Sequence, residues 1–255
     1  MELSRPLGQF FTPPPVVDLC FSLLHWLQPG PRTGRLVDLS CGEGAFLQGA
    51  LRAGFAPEAL YGVDADPRLP ALWRRSLPSG VHLALGDGLV GAGEELFDVV
   101  VGNPPFGGGA DPQHDQYLAS HYHWWRLGKR RQAELPRELW FLERSLRLLK
   151  PEGLLAMVLP EGFLANRRWR PQREALFAMC QIEAIVGLPR TVFRSSGTTV
   201  KTALLFLRKT SPPAAHRVRL AELENDELGD AAEKLVSGWQ GAPSDGPVPW
   251  RLRAD

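Results

Sequence analysis

Short apolar segments, separated by stretches of helical periodicity, constrain the fold of this chain more than any other feature. Arg35–Leu39, Leu60–Asp64, Val81–Leu85, Phe97–Val101, Leu154–Leu159, Ile182–Leu188 and Ala203–Arg208 have the length and apolar character of strands, Phe97–Val101 of a buried one. Between them, Ala45–Arg52, Pro67–Ser76 and Pro136–Lys150 read as helices, the last strongly periodic and followed by Pro151-Glu152-Gly153 as a stop signal. Ahead of the first strand, Thr12 and Pro13 read as an N-cap and first-turn proline. They open an amphipathic helix, Val16–Leu27, which ends at Pro29-Gly30-Pro31. Strands that alternate with helices give an α/β fold: a doubly wound, mostly parallel, seven-stranded sheet with helices on both faces.

The chain is 255 residues long, enough for one large domain with a small appendage. Its net charge of +1 argues against binding nucleic acid through bulk charge, but leaves room for a local basic patch. Cys20, Cys41 and Cys180 are scattered and lack paired metal-ligand spacing, so no metal and a reduced, cytoplasmic setting are expected. No apolar run reaches the roughly 20 residues of a membrane span. Met1–Pro6 lack the layout of a secretory signal.

Chemistry concentrates where the fourth strand ends. Asn103-Pro104-Pro105-Phe106 follows Phe97–Val101. Two prolines cannot donate to a sheet ladder, so the strand must stop, and Pro104 biases Asn103 away from helical geometry. The result is a stiff corner holding an amide oxygen, a carbonyl and an aromatic ring together. Such a corner can accept two hydrogen bonds from an exocyclic amine while its ring stacks on a flat base.

A second group of residues sits at the ends of the earlier strands. Asp38 through Leu47 joins the first strand to its helix, with Gly42 and Gly44 allowing a tight turn and close backbone approach. The dinucleotide pattern G-x-G-x-x-G fails, because Leu47 occupies the third glycine position. Asp64 closes the second strand, where a ribose diol is usually gripped, with Asp66 as an alternative. Asp87 closes the third, where a carboxylate can accept from an adenine amino group. Each aspartate alone fits a turn. Together, at successive strand ends, they mark a ligand edge.

From about Phe10 to Lys209 the chain resembles the class I S-adenosylmethionine-dependent methyltransferases, with their Rossmann-like fold. More narrowly, it resembles the N6-adenine DNA methyltransferases of restriction-modification systems, especially the catalytic core of type I methylation subunits. The resemblance rests on Phe11-Thr12-Pro13, Asp38–Leu47, Gly62-Val63-Asp64, Asp87 and Asn103–Phe106. It continues through Phe141–Gly153, Val158-Leu159-Pro160, Ile185–Pro189 and Thr199–Lys209. Ser40 stands where that family often has Pro.

The resemblance implies S-adenosyl-L-methionine as cofactor. Thr12 would close over its methionine part, Asp38 with Gly42 and Gly44 would bind its amino acid moiety, Asp64 its ribose and Asp87 its adenine. Phe141 would pack beside that ring or serve the core. Asn103 and the Pro104 carbonyl would hold the target amine, Pro105 would stiffen the corner, and Phe106 would stack on a flipped base.

Two basic-aromatic segments are candidates for contact with DNA: Trp124, Trp125, Arg126, Lys129 and Arg130, then Arg167, Arg168 and Arg170. Gly107-Gly108-Gly109 ahead of the first reads as a substrate loop. The catalytic domain is expected over 1–210, with 1–30 as a cofactor-closing segment. Residues 211–255 form a Pro-rich, loosely packed tail with one helix candidate, Asp226–Trp239. That tail is short for a target-recognition domain, so the expectation is either a separate specificity subunit as partner or a minimal or truncated enzyme. The alternatives are methylation of ribosomal RNA guanine N2 or of a protein glutamine, which share an Asn-Pro-Pro corner, and a non-catalytic cofactor-binding subunit.

Overall fold

The computed structural model describes residues 11–91, 93–106, 112–127, 135–194, 200–224 and 228–241. Its strands are β1 (Leu36–Asp38), β2 (Leu60–Asp64), β3 (His82–Leu85), β4 (Phe97–Gly102), β5 (Leu149–Pro160), β6 (Gln181–Gly187), β7 (Thr202–Arg208) and β8 (Arg219–Glu222). They form an eight-stranded sheet in the order β3-β2-β1-β4-β5-β7-β6-β8. Only β7 runs against its neighbours, β5 and β6. The carboxyl ends of the other strands therefore share one edge, and the sheet order turns at β1 and β4, where open α/β sheets place ligands.

Alternate strand residues serve opposite faces. Val99, Val101, Leu154, Ala156 and Val158 pack into one core cluster with α1 (Pro14–Leu27) and α2 (Ala45–Arg52). Val100, Leu155, Met157 and Leu159 enter another with α5 (Arg137–Leu148) and α7 (Arg170–Met179). Burial on both sides explains why these strands read as continuous apolar runs. Between α1 and α2, a Cβ on Gly49 would stand 2.3 Å from Val17 Cγ1, so only glycine permits this approach.

Several local features depart from the sequence reading. Thr12 does not cap α1: the cap position is Pro13, with no side-chain hydrogen bond. α5 ends at Leu148, ahead of the Pro151-Glu152-Gly153 stop, but the stop itself lies inside β5 and bulges it, with Glu152 at φ 63° and its N–H donating to Lys209 O at 3.0 Å. The remaining helices are α3 (Leu69–Ser76), α4 (Pro112–His121), α6 (Glu161–Ala165) and α8 (Ala231–Gly241).

The eighth strand lies beyond residue 210. β8 pairs in parallel with β6, while Leu223 and Ala231 are buried in the first core cluster. Trp239 packs on Trp26 of α1 at 5.5 Å between ring centroids, and the Arg219 guanidinium lies over Trp26. The described part of the expected loose tail thus completes the sheet. Arg-Leu-Ala-Glu is too short and polar for β8 to announce itself as a buried strand.

Candidate active site

The corner sits at the carboxyl end of β4. Asn103 is half-buried, Pro104 and Phe106 are buried, and Pro105 is half-buried. Asn103 Nδ2 donates to Thr12 Oγ1 at 3.1 Å. The N-terminal segment ahead of α1 therefore reaches the corner and fixes which way the amide faces. Because the amide is planar, its nitrogen points to Thr12 and its oxygen to the opposite side. The Phe106 ring belongs to the first core cluster and is only 9% exposed.

Asp38 abuts this corner. A Cβ on Gly102, the residue before Asn103, would stand 3.1 Å from Asp38 Oδ1. The Asp38 carboxylate is buried and accepts from Ser40 N–H at 3.0 Å, with no cation paired to it among the described residues. Burial pushes its pKa up to about 7, against the lowering effect of the Ser40 bond and with a further upward contribution from Asp64. A carboxylate held in this way calls for a cationic partner.

The glycine turn is pinned from two sides. Gly42 N–H donates to Asp64 Oδ2 at 2.8 Å, and the Trp73 indole donates to Gly42 O at 2.7 Å. Gly42 and Gly44 have φ values of 51° and 91°, left-handed conformations that favour glycine. Space around the Gly42 Cβ position is open, so a ligand can approach the backbone there. Asp64 Oδ1 also accepts from Asp66 N–H at 3.0 Å, and burial raises its pKa. Asp66 is committed elsewhere: Arg68 grips both its oxygens, and those hydrogen bonds hold its carboxyl below the usual range. Of the two ribose candidates, Asp64 is the one joined to the glycine turn.

Asp87 follows β3 and closes its own turn by accepting from Leu89 N–H at 2.9 Å. A Cβ on Gly88 would come within 2.1 Å of Leu39 O, so this turn packs directly on the residue after Asp38. Asp38, the glycine turn, Asp64 and Asp87 are thus assembled along one edge beside Asn103. Phe141 is buried in the second core cluster, in company with Leu39 and Leu89, the residues next to Asp38 and near Asp87.

The basic-aromatic segments prove to be neighbours. Gln172 of α7, fully buried, donates through Nε2 to Trp124 O at 2.9 Å and Leu127 O at 3.0 Å. Glu143 of α5 accepts from the backbone N–H groups of His123 and Trp124 at 2.6 and 2.9 Å. Trp124 is itself buried, so it serves the core, as does Trp169 in the second segment. Arg126, Arg167, Arg168 and Arg170 are exposed. Arg170 pairs with Glu174, and Arg168 stacks over Trp169. Lys129, Arg130, the Gly107–Gly109 loop and the Trp125 side chain lie outside the described residues. Sequence reasoning missed Trp73, Glu143 and Gln172. Each acts through a backbone group distant in sequence, and no local motif marks it.

An α/β sheet in this order, with a carboxylate-lined cofactor edge beside an Asn-Pro-Pro-Phe corner, defines the class I methyltransferase fold. Residues 2–235 match the family described as N-6 DNA Methylase, and the chain belongs to that family. The Type II methyltransferase M.CvrRI of Paramecium bursaria Chlorella virus XZ-6E is 26% identical over 237 residues, covering 91% of this chain and 57% of that protein. The methylase subunit of Type I restriction enzyme EcoEI from Escherichia coli is 26% identical over 235 residues, covering 83% of this chain and 44% of that one. This chain therefore spans about half the length of these relatives. Its fold is also that of a candidate class I S-adenosylmethionine-dependent methyltransferase from Listeria monocytogenes. The two superpose with a TM-score of 0.76 at 21% identity, over 94% of this chain and 74% of that one.

Proposed function

We propose that this chain is the catalytic unit of a DNA adenine methyltransferase, moving a methyl group from S-adenosylmethionine to the exocyclic N6 of adenine. The observation that carries this reading is the hydrogen bond from Asn103 to Thr12 at the end of β4, set against the buried Asp38. Family membership and relatives named as DNA restriction-system methylases support it.

The residues fit the cofactor. Asp38, buried and lacking a cation among the described residues, suits the α-ammonium of a methionine moiety. The open backbone at Gly42 admits that moiety closely, Asp64 suits a ribose diol, and Asp87 suits an adenine amino group. S-adenosylmethionine supplies a strongly electrophilic methyl group, which leaves the protein mainly the task of orientation.

The amine of adenine is a poor nucleophile, because its lone pair is delocalised into the ring. Asn103 Oδ1 and the Pro104 carbonyl accept its two N–H groups and draw the nitrogen towards tetrahedral geometry. These bonds strengthen as positive charge develops, so they favour the transition state over the ground state. Thr12 keeps the Asn103 amide in the required orientation. Pro105 holds the corner rigid. Phe106 stacks on the flipped base once substrate uncovers the ring. Arg126, Arg167, Arg168 and Arg170, with Lys129 and Arg130, contact phosphates.

Target recognition falls to a partner, as the relative named as a subunit of a Type I restriction enzyme suggests. The site of action is the cytoplasm, a reducing compartment in which three buried, free cysteines are at home. No helix among the described residues is long and apolar enough to cross a membrane.

The test is to supply methyl-labelled cofactor with unmethylated genomic DNA, ribosomal RNA and a protein extract in parallel. Label recovered from DNA as N6-methyladenine is expected. Label on RNA guanine or protein glutamine would reassign the substrate.

A further inference from the structure

Helix α4 begins soon after the corner, and both its ends are joined to one short turn, Asp87–Leu89. Near its start, His114 Nε2 lies 2.7 Å from Asp87 Oδ2. Just past its end, Tyr122 Oη donates to Leu89 O at 2.5 Å. Asp87 Oδ1 meanwhile accepts the Leu89 N–H. Oδ1 thus holds a backbone hydrogen bond, while Oδ2 faces the imidazole in a close contact that lacks hydrogen-bond alignment. The two side chains keep 18% and 30% of their surface exposed, although the contacting His114 Nε2 is itself buried.

The two attachments differ in kind. The Tyr122 bond joins a neutral hydroxyl to a backbone carbonyl, and nothing proposed for the site competes for either atom. Glu143, Arg144 and Arg147 all act on Tyr122, so the charged groups of α5 gather at that end. The His114 contact involves a side-chain carboxylate assigned to ligand recognition.

We propose that His114 competes with the adenine amino group of the cofactor for Asp87 Oδ2. Binding exchanges one neighbour of Oδ2 for the other, His114 lowers cofactor affinity, and its displacement releases the leading end of α4 while Tyr122 keeps the trailing end attached. Cofactor arrival is thereby coupled to the helix that follows the catalytic corner. The inference rests on the assignment of Asp87 to the adenine subsite.

The test is calorimetric affinity for S-adenosylhomocysteine, which binds without turnover, in the wild type, His114→Ala, Asp87→Ala and the double variant. His114→Ala should tighten binding by about two- to fivefold, the size expected for one partly exposed side-chain contact. Asp87→Ala should weaken it, and His114→Ala should then have no further effect in the Asp87→Ala background. His114→Phe, which keeps ring bulk without the N–H groups, should also tighten binding and serves if the alanine variant folds poorly. Unchanged or weaker binding by the His114 variants, or tightening that persists without Asp87, would overturn the competition. Unaltered affinity in Asp87→Ala would instead overturn the adenine assignment, and the inference with it.

Discussion

Thr12 Oγ1 accepts a hydrogen bond from Asn103 Nδ2 at 3.1 Å, across 91 positions of sequence. A segment expected to close over the cofactor therefore touches the Asn103 corner directly. If its role there is orientation, Thr12→Val should lower the methylation rate about three- to tenfold, the effect of one ordinary hydrogen bond. Cofactor affinity, read by calorimetry, should stay near wild type. A loss confined to cofactor binding would instead place Thr12 on the cofactor.

Asp38 predicts a pH dependence. Its pKa in the fold, about 7, exceeds the ordinary 3.8, so between those values the folded chain binds a proton that the unfolded chain releases. Stability of the cofactor-free protein should fall as pH rises through that window. Cofactor affinity should move the other way. Below about 7 the neutral carboxyl must shed its proton to meet an ammonium group; above it the charge is already present. Asp38→Asn should flatten both profiles, measured by thermal melting and by calorimetry.

Gly88 has no room for a side chain. Its Cβ would meet the Leu39 carbonyl oxygen at 2.1 Å, and backbone cannot swing aside as a side-chain tip can. Gly88→Ala should cost about 1–3 kcal/mol by overpacking. It should also displace the Asp87 turn, weakening cofactor binding more than Gly86→Ala, where the Cβ position is open.

Gln172 supplies two hydrogen bonds to the segment carrying Trp124 and Arg126. Gln172→Leu removes both of these hydrogen bonds, while Trp124 O keeps the Leu127 N–H at 3.1 Å, at a cost of about 1–3 kcal/mol. Melting should fall by about 2–4 °C for each kcal/mol of stability removed.

Arg167 and Arg168 are exposed between α6 and α7, which follow the carboxyl end of β5, the strand beside the one that leads to Asn103. Alanine at both should weaken DNA binding evenly across sequences. The salt slope should fall by about one for each phosphate that is no longer neutralised. Titrations at several salt concentrations measure this.

The parallel strands and the strand-end aspartates were legible because burial on both faces and tight turns leave local marks. Asn103–Phe106 was legible because consecutive prolines permit few structures. What stayed hidden depended on distant partners. Thr12 had every local sign of a helix cap, yet Asn103 claims its hydroxyl. Trp124 and Trp169 sit in basic stretches that read as surface, yet both are buried, because α5 and α7 fold over them. β8 owes its place to pairing with β6 rather than to its own apolarity. α4 is polar along most of its length, so no periodicity reveals it, and its contact with Asp87 arises only in the fold.

The most direct measurement is mass-spectrometric quantification of N6-methyladenine in DNA incubated with S-adenosylmethionine and either the wild-type chain or Asn103→Ala, with cofactor affinity measured alongside. The expected result is N6-methyladenine from the wild type and none above background from Asn103→Ala, at equal cofactor affinity. Equal N6-methyladenine from both proteins would contradict the assignment of Asn103 to the reacting amine.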